Sequence, residues 1–140
     1  MTFQNPSDAE IKSILEATHR IAVVGLSDKP NRASHGVSKL MQQWGFKIVP
    51  VTPKPQAEIL GETVYPDLAS VPGEIDLVNV FRRSEEAGEV VDQAIARGAK
   101  FIWLQLGIVD EAAAARAQAA GIPIVMDRCL MVEYSRLFTD

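Results

Sequence analysis

Residues 21–34 read IAVVGLSDKPNRAS, an apolar run that breaks at Gly25 into a short polar turn carrying Lys29 and Arg32. The apolar part, Ile21–Leu26, does not alternate with polar residues, as expected of a strand covered on both faces. A strand ending in glycine, followed by small polar and basic residues and then a helix start, is how α/β proteins cradle a phosphate. Glycine lets the backbone approach the ligand, and the amides that open the helix point at the anion. The stretch therefore predicts the fold class and places a site at the carboxyl end of the first strand.

Outward from this stretch, apolar runs and helical patterns alternate. Ser7-Asp8-Ala9-Glu10 has the Ser-x-x-Glu form of a capping box and opens a helix expected to reach about His19. Ser34–Trp44 reads as a helix closed by Gly45, and Phe46–Val51 as the second strand. The prolines of Thr52-Pro53-Lys54-Pro55 stop further pairing there. Thr63-Val64-Tyr65 reads as a weak edge strand, and Pro66–Val71 as one helical turn. Asp76–Phe81 is the fourth strand, with a helix over Ser84–Arg97 that stops at Gly98. Phe101–Gln105 is the fifth strand, Asp110 caps an alanine-rich helix ending at Gly121, and Ile122–Met126 is the sixth strand. A short C-terminal segment follows.

Strands alternating with helices predict a doubly wound parallel sheet in a three-layer α/β/α sandwich, Rossmann-like, with strand order 3-2-1-4-5-6. In that order the chain leaves the first and fourth strands in opposite directions and opens a crevice at their carboxyl ends. Gly25–Arg32 and Arg82-Arg83 would both line it, with Arg82 the one facing the site. Lys29, Arg32 and the Ser27 backbone are expected to share one hollow.

The bulk numbers agree with this reading. One domain accounts for all 140 residues, 47% of them hydrophobic and 23% charged. A net charge of -4 argues against general nucleic-acid binding, which needs many phosphates neutralised. A single cysteine gives neither a disulfide nor zinc-ligand spacing. No apolar stretch has the form of a signal peptide or a membrane span, so the cytoplasm is the expected location.

The glycine pattern departs from the dinucleotide fingerprint G-x-G-x-x-G, whose positions are occupied by Gly25, Ser27 and Pro30. Pro30 also removes an amide. The end of the second strand carries Lys54 in place of the acid that reads an unmodified ribose, which suits a ribose bearing its own phosphate. That leaves NADP or coenzyme A and disfavours NAD.

The stretches VVGLSDKPNRASHGV, VTPKPQAEILGETVYPDL, VNVFRRSEE, IWLQLGI and DRCLMVE follow one another at the spacing of the stand-alone coenzyme A-binding protein family, which the chain resembles from about Ile21 to its end. That family is similar to the nucleotide-binding domain of the succinyl-CoA synthetase α subunit. The resemblance implies coenzyme A or an acyl-CoA as the ligand. It implies that Gly25, Leu26, Ser27, Lys29, Arg32 and Ser34 surround the coenzyme phosphates. Pro53 and Lys54 would sit beside the adenosine and its 3′-phosphate. Phe81 and Arg82 would border the pantetheine path, with Gln105 and Gly107 behind. Many relatives carry histidine after the acid of the last motif, where this chain has Tyr134, so no role of that histidine carries over.

Cys129, between Arg128 and the last segment, has two readings: a small buried hydrophobe, or a thiol of lowered pKa that meets the coenzyme thiol and forms a mixed disulfide. His19 and His35 have no carboxylate or serine partner in a motif, and Asp110 is a cap. The likeness to the synthetase implies that acyl-CoA ligation would need a phosphorylated histidine on a second domain, for which a chain of 140 residues is expected to have no room. No nucleophile is paired with a base in any motif. The expected function is therefore non-catalytic binding of coenzyme A or acyl-CoA, as a sensor or carrier. The alternatives are a small NADP-binding oxidoreductase and a ligand-switched interaction module; no protein partner is identified by the sequence.

Overall fold

In the computed structural model, which describes residues 3–54 and 56–138, five parallel strands form the central sheet. They are β1 (Arg20–Val24), β2 (Lys47–Val51), β5 (Leu77–Val80), β6 (Phe101–Leu104) and β7 (Ile124–Val125), in the order β2-β1-β5-β6-β7. Register follows the apolar runs: Val24 pairs with Val51 on one side and Val80 on the other. The chain therefore leaves three neighbouring strands at one level, and Gly25, Thr52 and Phe81 form the lip above them.

The strands face two cores. Ala22, Val24, Val78 and Val80 pack under α3 (Ser84–Arg97) and α4 (Glu111–Ala119), whose inward residues are small: Ala87, Ala94, Ala113 and Ala117. Ile21, Val23, Leu77 and Trp103 pack under α1 (Asp8–Glu16), α2 (Ala33–Gln43) and α5 (Leu130–Leu137). Trp103 is fully buried and donates its indole N–H to the Arg128 carbonyl at 2.8 Å, which satisfies the ring's polar atom.

Several boundaries differ from the sequence expectation. The capping box forms, with the Glu10 amide donating to the Ser7 hydroxyl at 3.2 Å, but α1 ends at Glu16 rather than His19. The first strand ends at Val24 because Gly25 turns the backbone at φ 94. The C-terminal segment is a helix, α5, started by Cys129.

The largest difference is the third strand, which is reduced to one parallel bridge between Tyr65 and Val51. Tyr65 donates to the Pro50 carbonyl and accepts from the Thr52 amide. Extending the pairing backwards would need an N–H on Pro50, and proline has none. Thr63 instead pairs with Glu58 in a small antiparallel hairpin of β3 (Glu58–Ile59) and β4 (Glu62–Thr63). The 3-10 turn Leu68–Ser70, capped by Asp67, leads on to β5. Pro55, expected with Pro53 to end β2, lies outside the described residues.

Candidate functional site

The turn after β1 is built by side chain to backbone bonds. The Ser27 amide donates to the Ser34 hydroxyl at 3.0 Å, and the Lys29 amide donates to the Ser27 hydroxyl at 3.1 Å. Ser34 lies inside the first turn of α2 with its side chain buried, so the loop is tied to the helix it introduces. Arg32 stands at the helix start with no side chain capping the first amides. Ala33 and Ser34 donate those amides to no protein acceptor among the described residues, as at any helix N-terminus, which leaves them open to an anion.

These residues enclose a hollow of about 350 Å3. Ser27, Lys29, Arg32 and Ser34 line one side, Lys54 comes from the end of β2, and Gly25 and Phe81 form the junction of β1 and β5. A second hollow of about 370 Å3 opens on the α3 side of the same lip. Pro53 and Arg82 line it, with Val24, Val51 and Val90 as apolar walls and Asp67, Glu86 and Glu89 around them. Pro53 and Lys54 are consecutive, as are Phe81 and Arg82, and each pair contributes one residue to either hollow. The two spaces are neighbours across a rim two dipeptides wide.

Among the described residues, all but one of the lysines and arginines elsewhere are committed. Lys47, Arg83, Lys100, Arg116, Arg128 and Arg136 stand in ion pairs. Arg20 and Arg97 bond backbone carbonyls, and Lys12 lies over the Phe138 ring. Lys29, Arg32, Lys54 and Arg82 hold no such partner, and only Lys39 on α2 shares that state. An acidic protein thus gathers nearly all its uncommitted cations at one lip, where their field is focused on whatever enters.

Not every residue named from the sequence lines these spaces. The Leu26 side chain is 2% exposed and belongs to the core, so only its backbone faces the loop. Gln105 is buried, and its side-chain oxygen accepts from the Leu130 amide at 3.3 Å, capping α5. Gly107 donates to the Asp127 carboxylate at 2.8 Å. Cys129 is half-buried at the start of α5, packed against the core under that helix, and lines neither hollow. Arg83 is paired with Glu86 at 3.1 Å, which leaves Arg82 as the arginine at the hollow. Tyr134, in the middle of α5, stacks between Trp44 and Phe138, at ring distances of 5.1 and 4.6 Å.

Two groups of site residues were not read from the sequence. Ala33 lines the first hollow through its place in the opening turn of α2. Asp67, Glu86, Glu89 and Gln93 line the second. The three on α3 are spaced i, i+3 and i+7, a stripe that in sequence is indistinguishable from a solvated helix face. Among the described residues, no group of histidine, cysteine and acids is placed to hold a metal ion, and no helix is long and apolar enough to cross a membrane.

The family described as the CoA binding domain matches residues 19–135. An uncharacterized protein of Bacillus subtilis, YneT, is 46% identical over 132 residues, covering 94% of this chain and 97% of its own. A hypothetical protein from Pyrococcus horikoshii superimposes with a TM-score of 0.91 at 36% identity, covering 99% of this chain and all of its own. The dinucleotide-forming acetyl-coenzyme A synthetase 1 of Ca. Korarchaeum cryptofilum is similar at a TM-score of 0.71 and 23% identity, over 81% of this chain and 27% of that one, a likeness of fold.

Proposed function

We propose that this chain, which belongs to the CoA binding domain family, holds coenzyme A or an acyl-coenzyme A without transforming it. The observation that carries this reading is the gathering of Lys29, Arg32 and Lys54, all without acidic partners, around one hollow that the first amides of α2 also face. The pyrophosphate sits over the Ala33 and Ser34 amides, where the helix N-terminus and Arg32 favour negative charge. Lys54, one strand away, takes the 3′-phosphate of the ribose. The adenosine lies across Pro53 into the second hollow, and the pantetheine arm passes Phe81.

The binding role is supported by the chemistry of the first hollow. Its lining has serines but no histidine, cysteine or carboxylate to act as their base. Its charge is arranged to hold a polyanion, the requirement of a sensor or carrier. Calorimetric titration with coenzyme A, acetyl-CoA, NADP and NAD tests the reading. Binding of the two coenzyme A ligands, with NADP weaker and NAD weakest, supports it; NADP bound tighter than coenzyme A overturns it in favour of a nicotinamide enzyme.

A further inference from the structure

The two hollows differ in sign. The first presents lysine and arginine, whereas the second carries Asp67, Glu86 and Glu89 against the single cation Arg82, above apolar walls from Val24, Val51, Pro53 and Val90. A ligand spanning both keeps its phosphates in the first and brings to the second a flat, uncharged group that offers hydrogen-bond donors. Of the three carboxylates, Glu86 is held by Arg83 at 3.1 Å, and Asp67 caps the 3-10 turn by accepting from the Ser70 amide at 2.9 Å. Glu89 alone of the three has no partner among the described residues. It projects from the second turn of α3, one residue before Val90, whose side chain forms the hollow's wall.

Resting on the coenzyme A reading, we propose that Glu89 is the residue that selects the base: its carboxylate accepts a hydrogen bond from an exocyclic amine of a base stacked on Pro53 and Val90. The class of ligand is a nucleotide whose base carries that amine, as adenine does. A purine that lacks the amine leaves the carboxylate without a donor at that position.

The test uses adenosine 3′,5′-bisphosphate and purine riboside 3′,5′-bisphosphate, which differ in that single group and both bring phosphates to the first hollow. Both are titrated into the wild-type protein, Glu89→Ala and Glu89→Gln. The wild type is expected to hold the adenosine compound at least about tenfold tighter. Glu89→Ala brings the two within about threefold by weakening the adenosine compound, and Glu89→Gln, which keeps an acceptor oxygen, restores most of the preference. Equal affinities in the wild type, or an undiminished preference in Glu89→Ala, overturn the proposal while leaving the coenzyme A reading in place. Failure of coenzyme A and of both bisphosphates to bind the wild type overturns that reading and the proposal with it.

Discussion

A methyl group on Gly25 would stand 2.5 Å from the carbonyl oxygen of Phe81, closer than a carbon and an oxygen approach without a bond. The junction of β1 and β5, the floor between the two hollows, is therefore closed by backbone packed on backbone. Gly25 also holds φ at 94, a conformation that side chains of the L series rarely adopt. We predict that Gly25→Ala lowers stability by at least about 1–3 kcal/mol in denaturant titration, from backbone strain before the contact is counted. Coenzyme A binding falls with it, because relief of the contact moves the lip. A variant of wild-type stability and affinity would show that the junction is not tight.

Arg32 makes no ion pair, so its removal should leave stability unchanged and act on the ligand. Arg32→Ala is predicted to weaken coenzyme A by roughly 1.5–3 kcal/mol, about ten- to a hundredfold, the scale of a charge-assisted hydrogen bond. Unchanged affinity by calorimetry would place the pyrophosphate elsewhere.

Lys54 is distinguishable from Arg32 by the ligand it discriminates. Lys54→Ala is expected to weaken coenzyme A by more than it weakens 3′-dephospho-coenzyme A. Equal losses would show that Lys54 does not touch the 3′-phosphate.

Ser34 acts one step back from the ligand. Ser34→Ala leaves the Ser27 amide without its acceptor and unpins the loop from α2, at a cost of about 1 kcal/mol in stability. Ligand affinity falls as well, since Lys29 loses its fixed turn; Ser34→Thr, which keeps the hydroxyl, is expected to retain the bond. Wild-type affinity in Ser34→Ala would show that the loop holds its shape without this bond.

Acid stability has a separate source at the opposite end of the sheet. Burial pushes the Asp76 carboxyl up, but hydrogen bonds from the Arg20 and His19 amides and from Lys100 outweigh it and hold the group below its ordinary value. A carboxyl more acidic in the folded chain than in the unfolded one contributes its full stability above its ordinary value, about 3.9, and loses it as pH falls through the folded value. Asp76→Asn should therefore flatten the acid limb of the stability profile below about pH 4 and leave coenzyme A binding at pH 7 untouched. An unchanged acid limb would assign the loss to other carboxyls, such as Asp8, which its hydrogen bond to Arg136 also holds low.

The fold was legible where periodicity and punctuation agreed. Continuous apolar runs marked β1, β5 and β6, Asp110 and Gly98 fixed helix ends, and Gly25 marked the turn. The third strand is not legible because the obstacle to it lies in another strand: Pro50 withholds the one N–H that the Thr63 carbonyl would have accepted. In α5, Glu133 is buried and held by Arg136 at 3.1 Å, an inward acid that makes the apolar stripe of that helix hard to see in sequence. Most of the cationic hollow was legible because Ser27, Lys29, Arg32 and Ser34 follow one glycine turn, with Lys54 alone of its cations coming from another strand end. The acidic hollow was not, since Asp67 and Glu89 are brought to the lip only by the crossing of a 3-10 turn with α3.

The most direct measurement is a crystal structure of the protein grown with coenzyme A, read for the position of the pyrophosphate. The account predicts its oxygens within hydrogen-bond distance of the Ala33 or Ser34 amide and of Arg32, with Lys54 on the 3′-phosphate. A pyrophosphate outside the hollow bounded by Ser27, Lys29 and Arg32 would contradict it.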